Sequence, residues 1–374
     1  MPITLKLEIN RPTSLPNIVK GHILDLIRQG VVKDGDRLPP EEEIARQNNI
    51  SRGTVRTAMA ELAREGLVKR YAKRGTFIHF RPASTTIRIG VISPLLPMTK
   101  EETDSYRTEL WGGIQEGVLE TGASLHFSQT IPDKPAHMES AFGIKIDGLL
   151  FLIPLRNQSN LIASLCTSAA PLVVIGGRAH KNINSIGVNN IRGIQSALDH
   201  LYRNGHRKIA AIFSSLEYFD QFERHRAFIS GLKSFSLPYR KEWIKLIPEV
   251  SSRRWVEDAE QAAKGIFSGR SAPTALLCSG GFITIGAKAG LRKLNLAIPE
   301  DVSLIGFDDI YLAEYMDPPL TTISQPVWEM GKEAVKALVA IIRNKTYQPY
   351  HTTINTKLML RRSVKNLNTG EEAS

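Results

Sequence analysis

Basic and hydroxyl side chains cluster in the stretch Ser51-Arg52-Gly53-Thr54-Val55-Arg56. An Arg side chain can form two parallel hydrogen bonds to a guanine edge, and Ser or Thr can bind a phosphate or a base edge. A second basic cluster, Lys73-Arg74-Gly75-Thr76, contains a Gly that permits close approach of a neighbouring backbone. Together the clusters favour contact with duplex DNA, whereas any one of these residues alone is also typical of a solvated surface.

The charge of the chain is unevenly distributed. Residues 1–86 contain 15 Lys and Arg against 9 Asp and Glu, while the other 288 residues contain 33 against 28. A basic segment beside a nearly neutral one suggests a module that binds a polyanion, joined to a module with another task. The length of 374 residues suits such a division, at roughly 150 residues per domain.

The elements around the two basic clusters form a recognisable order over residues 14–80. Helical periodicity, a Pro and acidic residues at the start of the second helix, and Ser51 as an N-cap predict three helices followed by a hairpin. This is a winged helix-turn-helix, mostly α with a small β wing. The predicted helices are Leu15–Gln29, Pro40–Asn48 and Arg52–Glu65, and the predicted strands are Leu67–Arg70 and Thr76–Phe80.

The pattern changes after a short polar linker, residues 81–86. Over residues 87–362, apolar β-rich runs alternate with helical stretches, which indicates parallel sheets covered by helices on both faces. Because the roughly 290 residues after the linker are too many for one doubly wound unit, we expect two similar α/β lobes. Residues 363–374 are polar, and we expect a frayed tail. The predicted strands are Ile87–Ile92, Gly148–Ile153, Leu172–Ile175, Ile209–Phe213, Ala275–Cys278 and Ser303–Phe307.

Several protein classes are disfavoured. No apolar run reaches the roughly 18–20 residues of a spanning helix, and residues 1–10 lack a secretory signal, so we expect a cytoplasmic protein with no membrane partner. Cys166 and Cys278 lie in apolar stretches and are interpreted as buried hydrophobes. His200 and His206 are unaccompanied, and no catalytic motif or metal-ligand spacing is present. We expect no catalytic residue, no metal and no cofactor.

The N-terminal motifs resemble the DNA-binding domain of the gluconate-repressor (GntR) family over residues 14–79. They are Gly35-Asp36-Arg37-Leu38-Pro39-Pro40-Glu41-Glu42-Glu43, the stretch at 51–56, Glu65-Gly66-Leu67-Val68 and Arg74-Gly75-Thr76-Phe77. The resemblance implies DNA contacts by Arg52 and Arg56, and by the wing in or beside the minor groove. Many members have Arg at the position of Glu42, so that contact is lost or passes to Arg37. The expected DNA-binding residues are Arg37, Ser51, Arg52, Thr54, Arg56, Lys73, Arg74, Gly75 and Thr76.

Five later motifs resemble the effector domain of the lactose/galactose-repressor (LacI/GalR) family. They imply a periplasmic-binding-protein-like fold with two Rossmann-like lobes, three crossovers and an effector in the cleft. A GntR-type reader joined to a LacI/GalR-type sensor is the architecture of the arabinose-repressor group. The motifs are Val173-Val174-Ile175-Gly176-Gly177, Gly205-His206-Arg207-Lys208-Ile209, Ala297-Ile298-Pro299-Glu300-Asp301-Val302-Ser303, Ile305-Gly306-Phe307-Asp308-Asp309 and Pro318-Pro319-Leu320-Thr321-Thr322-Ile323.

A polyol ligand needs a charged donor, a carboxylate acceptor and an aromatic face. Asp308 follows a predicted buried strand, at the sheet edge where ligands bind, and the resemblance implies that Arg224 and Asp308 grip the effector. Tyr106 lies where the family has a cleft aromatic, and Gln325 is a further effector-binding candidate. The alternatives are a surface salt bridge for Arg224, a helix cap for Asp308 and a core position for Tyr106.

One departure from the second family follows the predicted strand Ala275–Cys278. The family usually has Asn-Asp there, and this chain has Gly280-Gly281. Two side-chain contacts to the ligand are therefore lost, and we expect room for a larger effector.

The two resemblances together predict a sequence-specific transcription regulator. We expect a homodimer whose two reading heads bind a roughly palindromic operator in double-stranded DNA. A small-molecule effector, a sugar, is expected to bind between the lobes and release the operator, with tightening of operator binding as the alternative. An enzyme on a doubly wound fold and a transport binding protein are the competing classes, and the DNA-reading head disfavours the second.

Overall fold

The computed structural model describes residues 14–28, 31–64, 66–71, 74–79, 86–93, 105–128, 137–166, 170–177, 183–248, 252–269, 271–344 and 351–368. The chain divides into two compact units, Met1–Thr86 and Ile87–Ser374. Residues 81–85 of the predicted linker lie outside the described residues.

In the first unit, three helices precede a two-stranded antiparallel hairpin, as predicted. They are α1 (Leu15–Arg28), α2 (Glu41–Gln47), α3 (Arg52–Arg64), β1 (Val68–Tyr71) and β2 (Gly75–Ile78). The helices close on one core that includes the fully buried Val19, Ile23, Ile44, Met59 and Leu62. Because α3 turns its apolar stripe to this core, its polar side chains face outward.

The second unit alternates strands and helices along most of its length. The elements are β3 (Arg88–Ile92), α4 (Ser105–Thr121), β4 (Ser124–Phe127), α5 (Met138–Phe142), β5 (Gly148–Leu152), α6 (Ser159–Leu165), β6 (Leu172–Ile175), β7 (Asn184–Val188), α7 (Asn190–Arg203), β8 (Ile209–Phe213), α8 (Phe219–Ser234), β9 (Ile244–Leu246), α9 (Ser252–Phe267), β10 (Ala275–Cys278), α10 (Gly281–Lys293), β11 (Ser303–Phe307), β12 (Thr321–Ser324), α11 (Val327–Asn344), β13 (His351–Ile354) and β14 (Lys357–Met359).

These elements form the two predicted α/β lobes. Over the described residues, lobe 1 has the strand order β13-β7-β6-β5-β3-β4 and lobe 2 has the order β14-β12-β11-β10-β8-β9. The strand pairs are parallel except β12 with β14, which are antiparallel. The six predicted strands are present, with ends shifted by at most one residue.

The chain passes between the lobes three times. It leaves lobe 1 after β7, returns after β12 to supply α11 and β13, and enters lobe 2 again at β14. The predicted periplasmic-binding-protein-like topology is therefore confirmed. Since the carboxyl ends of parallel strands meet at one edge, the loops after β5, β8, β10 and β11 converge on the space between the lobes.

The predicted frayed tail is wrong for residues 363–368. Ser363 is fully buried, its hydroxyl donates to the carbonyl of Leu304 at 2.5 Å, and it accepts the backbone N–H of Thr321 at 2.8 Å. The backbone N–H of Lys365 donates to the hydroxyl of Ser303. Polar composition misled the prediction because the Ser363 side chain and the Lys365 backbone bond groups of lobe 2 instead of water. Residues 369–374 lie outside the described residues.

None of the helices in the described ranges combines the length and apolar composition that crossing a bilayer requires.

Candidate functional site

The start of α3 is fixed by two hydroxyl side chains. Ser51 accepts the backbone N–H of Thr54 at 3.0 Å, and the two side-chain oxygens lie 2.8 Å apart. Ser51 thus satisfies one of the backbone donors that a helix start leaves free, as predicted for an N-cap. These contacts also hold the hydroxyls of Ser51 and Thr54 at the N-terminal end of α3. A helix-turn-helix presents this end of its second helix to base edges.

Arg52 and Arg56 lie one turn apart on the exposed side of α3. Their side chains are 60% and 67% exposed, and each faces an acid at the start of α2. Arg52 Nη1 is 3.5 Å from Glu42 Oε1, and Arg56 Nε is 3.7 Å from Glu41 Oε2. Ion pairs this exposed contribute little energy, and both guanidinium groups keep most of their donors exposed.

Glu41 also binds a cation that the sequence analysis did not single out. Arg70, on β1, donates from Nη2 to Glu41 Oε1 at 2.6 Å. The exposed Arg70 side chain contacts Glu41, the same acid that Arg56 contacts. The hairpin therefore adds a positive charge next to the exposed side of α3. The pair Lys69-Arg70, just before the predicted turn, is a visible basic cluster in the sequence. Its position on a strand did not indicate which face of the hairpin Arg70 would occupy.

The predicted wing brings Arg37 against Gly75. Gly75 has φ 106°, a conformation that favours glycine, and a Cβ placed on it would lie 3.0 Å from Arg37 Nε, so a side chain there would displace the Arg37 guanidinium. The N–H of Leu38 donates to the carbonyl of Thr76 at 2.9 Å and holds the two segments together. Arg37 therefore lies next to the wing residues Arg74, Gly75 and Thr76. Lys73 lies outside the described residues.

A cavity of about 320 Å³ lies between the lobes of the second unit. It contains all four predicted effector-binding residues. Tyr106 comes from the start of α4 in lobe 1, Arg224 from α8 in lobe 2, Asp308 from the loop after β11, and Gln325 from the crossover after β12. The structure thus joins residues separated by up to 219 positions at one place.

Arg224 is a buried cation at the floor of this cavity. It is 3% exposed and donates to Asn190 Oδ1 at 2.8 Å, to the carbonyl of Ser279 at 2.7 Å and to Gln325 Oε1 at 3.1 Å. Its Nη1 is 3.6 Å from Asp308 Oδ1. The guanidinium also lies 3.6 Å from the ring centroid of Phe307. A buried charge needs such partners, so the alternative of a surface salt bridge is wrong.

Asp308 links the strand β11 to the start of α10. It accepts hydrogen bonds from the side-chain amide of Gln325 and from the backbone N–H of Gly281, the latter at 3.0 Å. Asp308 and Asp309 have φ values of 86° and 43°, a left-handed conformation that is costly for side-chain-bearing residues and is often found at functional sites. Asp309 accepts from Thr322 and Arg361, so it supports the loop, as predicted.

The expected space at Gly280-Gly281 is not open. A Cβ on Gly281 would lie 2.4 Å from Ile310 Cγ2, and one on Gly280 would lie 3.4 Å from Asp308 Oδ2. The expectation of room for a larger effector is therefore wrong at Gly281, because Ile310 occupies the volume that a side chain there would need. Gly281 instead lets the start of α10 approach Ile310 closely, whereas a Cβ on Gly280 would make an ordinary van der Waals contact with Asp308.

Two further residues support or line the cavity. Asn190, at the start of α7, accepts from Arg224 and donates to Asp220 and Glu223, so it holds Arg224 from behind the cavity lining. Trp255, on α9, lines the cavity, and its Nε1 is buried with no hydrogen-bond partner in the described part of the chain. Sequence reasoning missed both, because neither lies in a motif and both depend on how the helices pack.

The lobes also touch directly at one side of the cavity. Leu155 and Tyr218 form an antiparallel backbone bridge, and the N–H of Arg156 donates to the carbonyl of Glu217 at 2.7 Å. The Arg156 guanidinium lies 3.8 Å from the ring centroid of Phe222. These contacts join the loop after β5 in lobe 1 to the loop after β8 in lobe 2.

Carboxylates gather at the lobe 1 side of Asp308. Burial, and then the negative charges of Asp308, Glu329 and Asp309, raise the pKa of Glu109. A search of the described ranges finds no group of three His, Cys, Asp or Glu able to hold a metal ion.

Two family descriptions match different parts of the chain. Residues 17–78 match "Bacterial regulatory proteins, gntR family", and residues 198–364 match "Periplasmic binding protein-like domain". Each match lies within one of the two units of the structure.

Similar proteins are transcriptional repressors. The arabinose metabolism transcriptional repressor of Geobacillus stearothermophilus is 28% identical over 93% of this chain and 97% of its own length. The HTH-type transcriptional repressor PurR of Actinobacillus pleuropneumoniae serotype 3 (strain JL03) is 30% identical over 76% of this chain and 83% of its own length. A crystal structure of a LacI family transcriptional regulator from Enterococcus faecium with bound ribose has the same fold (TM-score 0.62, 23% identity, 75% of this chain and 99% of that one).

Proposed function

The chain belongs to the bacterial transcriptional repressors that join a GntR-type reading head to a LacI/GalR-type periplasmic-binding-protein-like domain, and from this premise we propose a repressor that leaves its operator when a sugar enters the cleft. It is a sequence-specific DNA-binding regulator of transcription. Because its relatives are repressors, we propose no catalytic role. Since its target is chromosomal DNA, we place the protein in the cytoplasm.

Operator contacts are assigned to the exposed end of α3 and to the wing. Arg52 and Arg56 are exposed and lie one turn apart on α3, which suits hydrogen bonds to guanine edges. Ser51 and Thr54 stand at the helix start, where backbone N–H groups favour a phosphate. Arg37, Lys73, Arg74, Gly75 and Thr76 are assigned to the sugar-phosphate backbone beside the wing.

We further propose that the protein acts as a homodimer through its second units. A single reading head contacts only a few base pairs, whereas two heads related by a twofold axis read two half-sites. The operator would then be roughly palindromic, with a half-site spacing set by the distance between the heads.

Arg224 and Asp308 are assigned to the effector. A sugar hydroxyl can accept a hydrogen bond from a guanidinium and donate one to a carboxylate, and these groups lie 3.6 Å apart in the cavity floor. Gln325 now bridges the two, so an incoming hydroxyl would take the place of its amide. Tyr106 and Trp255 both line the cavity and supply aromatic faces.

Effector binding would change operator affinity through the lobes. A ligand can shift an equilibrium only by its difference in affinity for the two states, and the coupling is reciprocal. The cavity is lined from both lobes, so a ligand there bears directly on their relative position. In a dimer, a change of lobe position would alter the spacing of the two heads on the operator.

The observation that carries this proposal is the buried Arg224 network in a cavity shared by both lobes. The test has two stages. Selection from random duplex DNA identifies the bound sequence, and a thermal-shift panel of pentoses, hexoses and disaccharides identifies ligands, which are then titrated into the complex. Release of the selected DNA is expected. Binding that tightens with the sugar, or that responds to no sugar, would contradict the release mechanism.

A further inference from the structure

The acids at the start of α2 have different surroundings in the reading head. Glu41 is 25% exposed and holds Arg56 with one carboxylate oxygen and Arg70 with the other. Glu42 is 72% exposed, and its ion pair is with Arg52 at 3.5 Å. A carboxylate can accept about four hydrogen bonds. Glu41 is therefore engaged on both oxygens, whereas most of the accepting capacity of Glu42 faces solvent.

Glu42 lies at the part of the head that meets the major groove. Its partner Arg52 is the first residue of α3, and the first residues of a recognition helix contact base edges. An exposed negative charge at this place is repelled by the DNA phosphates, so it weakens binding to every sequence equally. The cost is offset only where the carboxylate meets a hydrogen-bond donor on a base.

The major groove offers few such donors. The N4 amino group of cytosine has an acceptor on one side only, O6 of the paired guanine, whereas the N6 amino group of adenine lies between its own N7 and O4 of the paired thymine. A carboxylate carries acceptors only, so N7 of adenine repels it and cytosine suits it better. Arg has the complementary preference, for the O6 and N7 acceptors of guanine.

We infer that Glu42 is a specificity-determining residue. It selects a cytosine in the base pair next to the one whose guanine Arg52 binds. The inference rests on the proposed operator contact of Arg52. The ion pair at 3.5 Å sets the two side chains next to each other, so a donor and an acceptor reach the groove as one unit. A neutral amide at this position, with one donor and one acceptor, would instead match N6 and N7 of adenine.

The experiment is selection from a random duplex pool by the full-length protein, followed by affinity measurement on single-base variants of the selected site. Wild type should prefer cytosine at one position by about tenfold, the usual cost of a mismatched base pair. Glu42→Ala should lose this preference and keep the neighbouring guanine. Glu42→Gln should change the preference to adenine. Both variants should bind random DNA more tightly, since a repelling charge is gone.

Glu43→Gln is the matched control. It removes the same charge from the same helical turn, where Glu43 accepts a hydrogen bond from Gln47 on its own helix. This variant should select the wild-type sequence. Selection of the wild-type sequence by Glu42→Ala and Glu42→Gln as well would overturn the inference, and so would loss of the guanine preference in Glu42→Ala. If wild type selects no sequence, the proposed operator binding itself is wrong.

Discussion

Replacing Arg224 with Ala removes a cation that is 3% exposed and that donates to Asn190, to the carbonyl of Ser279 and to Gln325. The variant should lose its response to the effector while it still binds operator. The reason is that Arg224 lies in the second unit, whereas the reading head is a separate compact unit.

The magnitude has a binding part and a stability part. Loss of one charge-assisted hydrogen bond to a sugar hydroxyl costs about 1.5–3 kcal/mol, so effector affinity should fall by roughly ten- to a hundredfold. Removing one partner of a fully buried ion pair costs about 3–5 kcal/mol, and this is an upper bound here because the Asp308 side chain is 19% exposed and keeps its bonds from Gly281 and Gln325. At about 2–4 °C per kcal/mol for a unit of this size, the melting temperature should fall by at most roughly 6–20 °C.

The assay measures both quantities on the same protein. Effector affinity and operator release are followed by calorimetry and by fluorescence anisotropy of labelled operator, at a temperature well below the melting transition. Arg226→Ala is the matched control, since Arg226 lies on the same helix with an exposed side chain. If Arg224→Ala melts like Arg226→Ala and releases operator at the wild-type effector concentration, Arg224 does not hold the effector.

Three further predictions concern other parts of the molecule. Arg52→Ala should weaken operator binding by about 1–3 kcal/mol and relax the preference for one guanine, which a gel shift on single-base operator variants measures at fixed salt. Arg74→Ala should weaken binding to operator and random DNA alike and reduce the slope of log K against log salt by about one, so an unchanged slope would place the wing off the DNA. Burial lowers the pKa of His206 below its ordinary value, so the folded ring binds a proton less readily than the unfolded one. The free energy of unfolding should then fall as pH decreases through about 6.5, and His206→Gln should flatten part of this dependence in urea titrations.

The strands that sequence patterns predicted are the apolar ones in the middle of each sheet. β6, β8, β10 and β11 consist largely of aliphatic residues and are completely buried, and their ends were predicted within one residue. The strands β7, β12 and β13 contain Asn, Ser, Thr or His and were not predicted. Their polar side chains bond neighbouring segments, as Asn184 does to the carbonyl of Leu172, and this compensation is not visible in a local pattern.

The sequence identified residues of the candidate site only where they belong to a recognisable motif or to the family resemblance. Asp308 follows a buried strand within a motif, and Arg224 was found through the family resemblance; the structure places both in one cavity. Sequence reasoning did not identify Asn190, Trp255 and Arg70, because their surroundings are formed by elements that are distant in sequence. The effect of Gly281 was mispredicted, because the sequence showed the lost side chain but not that Ile310 would occupy its place.

Coupling between the two units is tested most directly by a thermodynamic cycle on full-length protein. The affinity of labelled operator is measured with and without a saturating sugar from the thermal-shift panel, and the affinity of that sugar is measured with and without operator. We predict that the sugar lowers operator affinity and that operator lowers sugar affinity by the same factor, on the order of 5–150-fold, and that Asp308→Asn brings both factors close to one. Sugar affinity that is unchanged by operator would contradict regulation through the cleft.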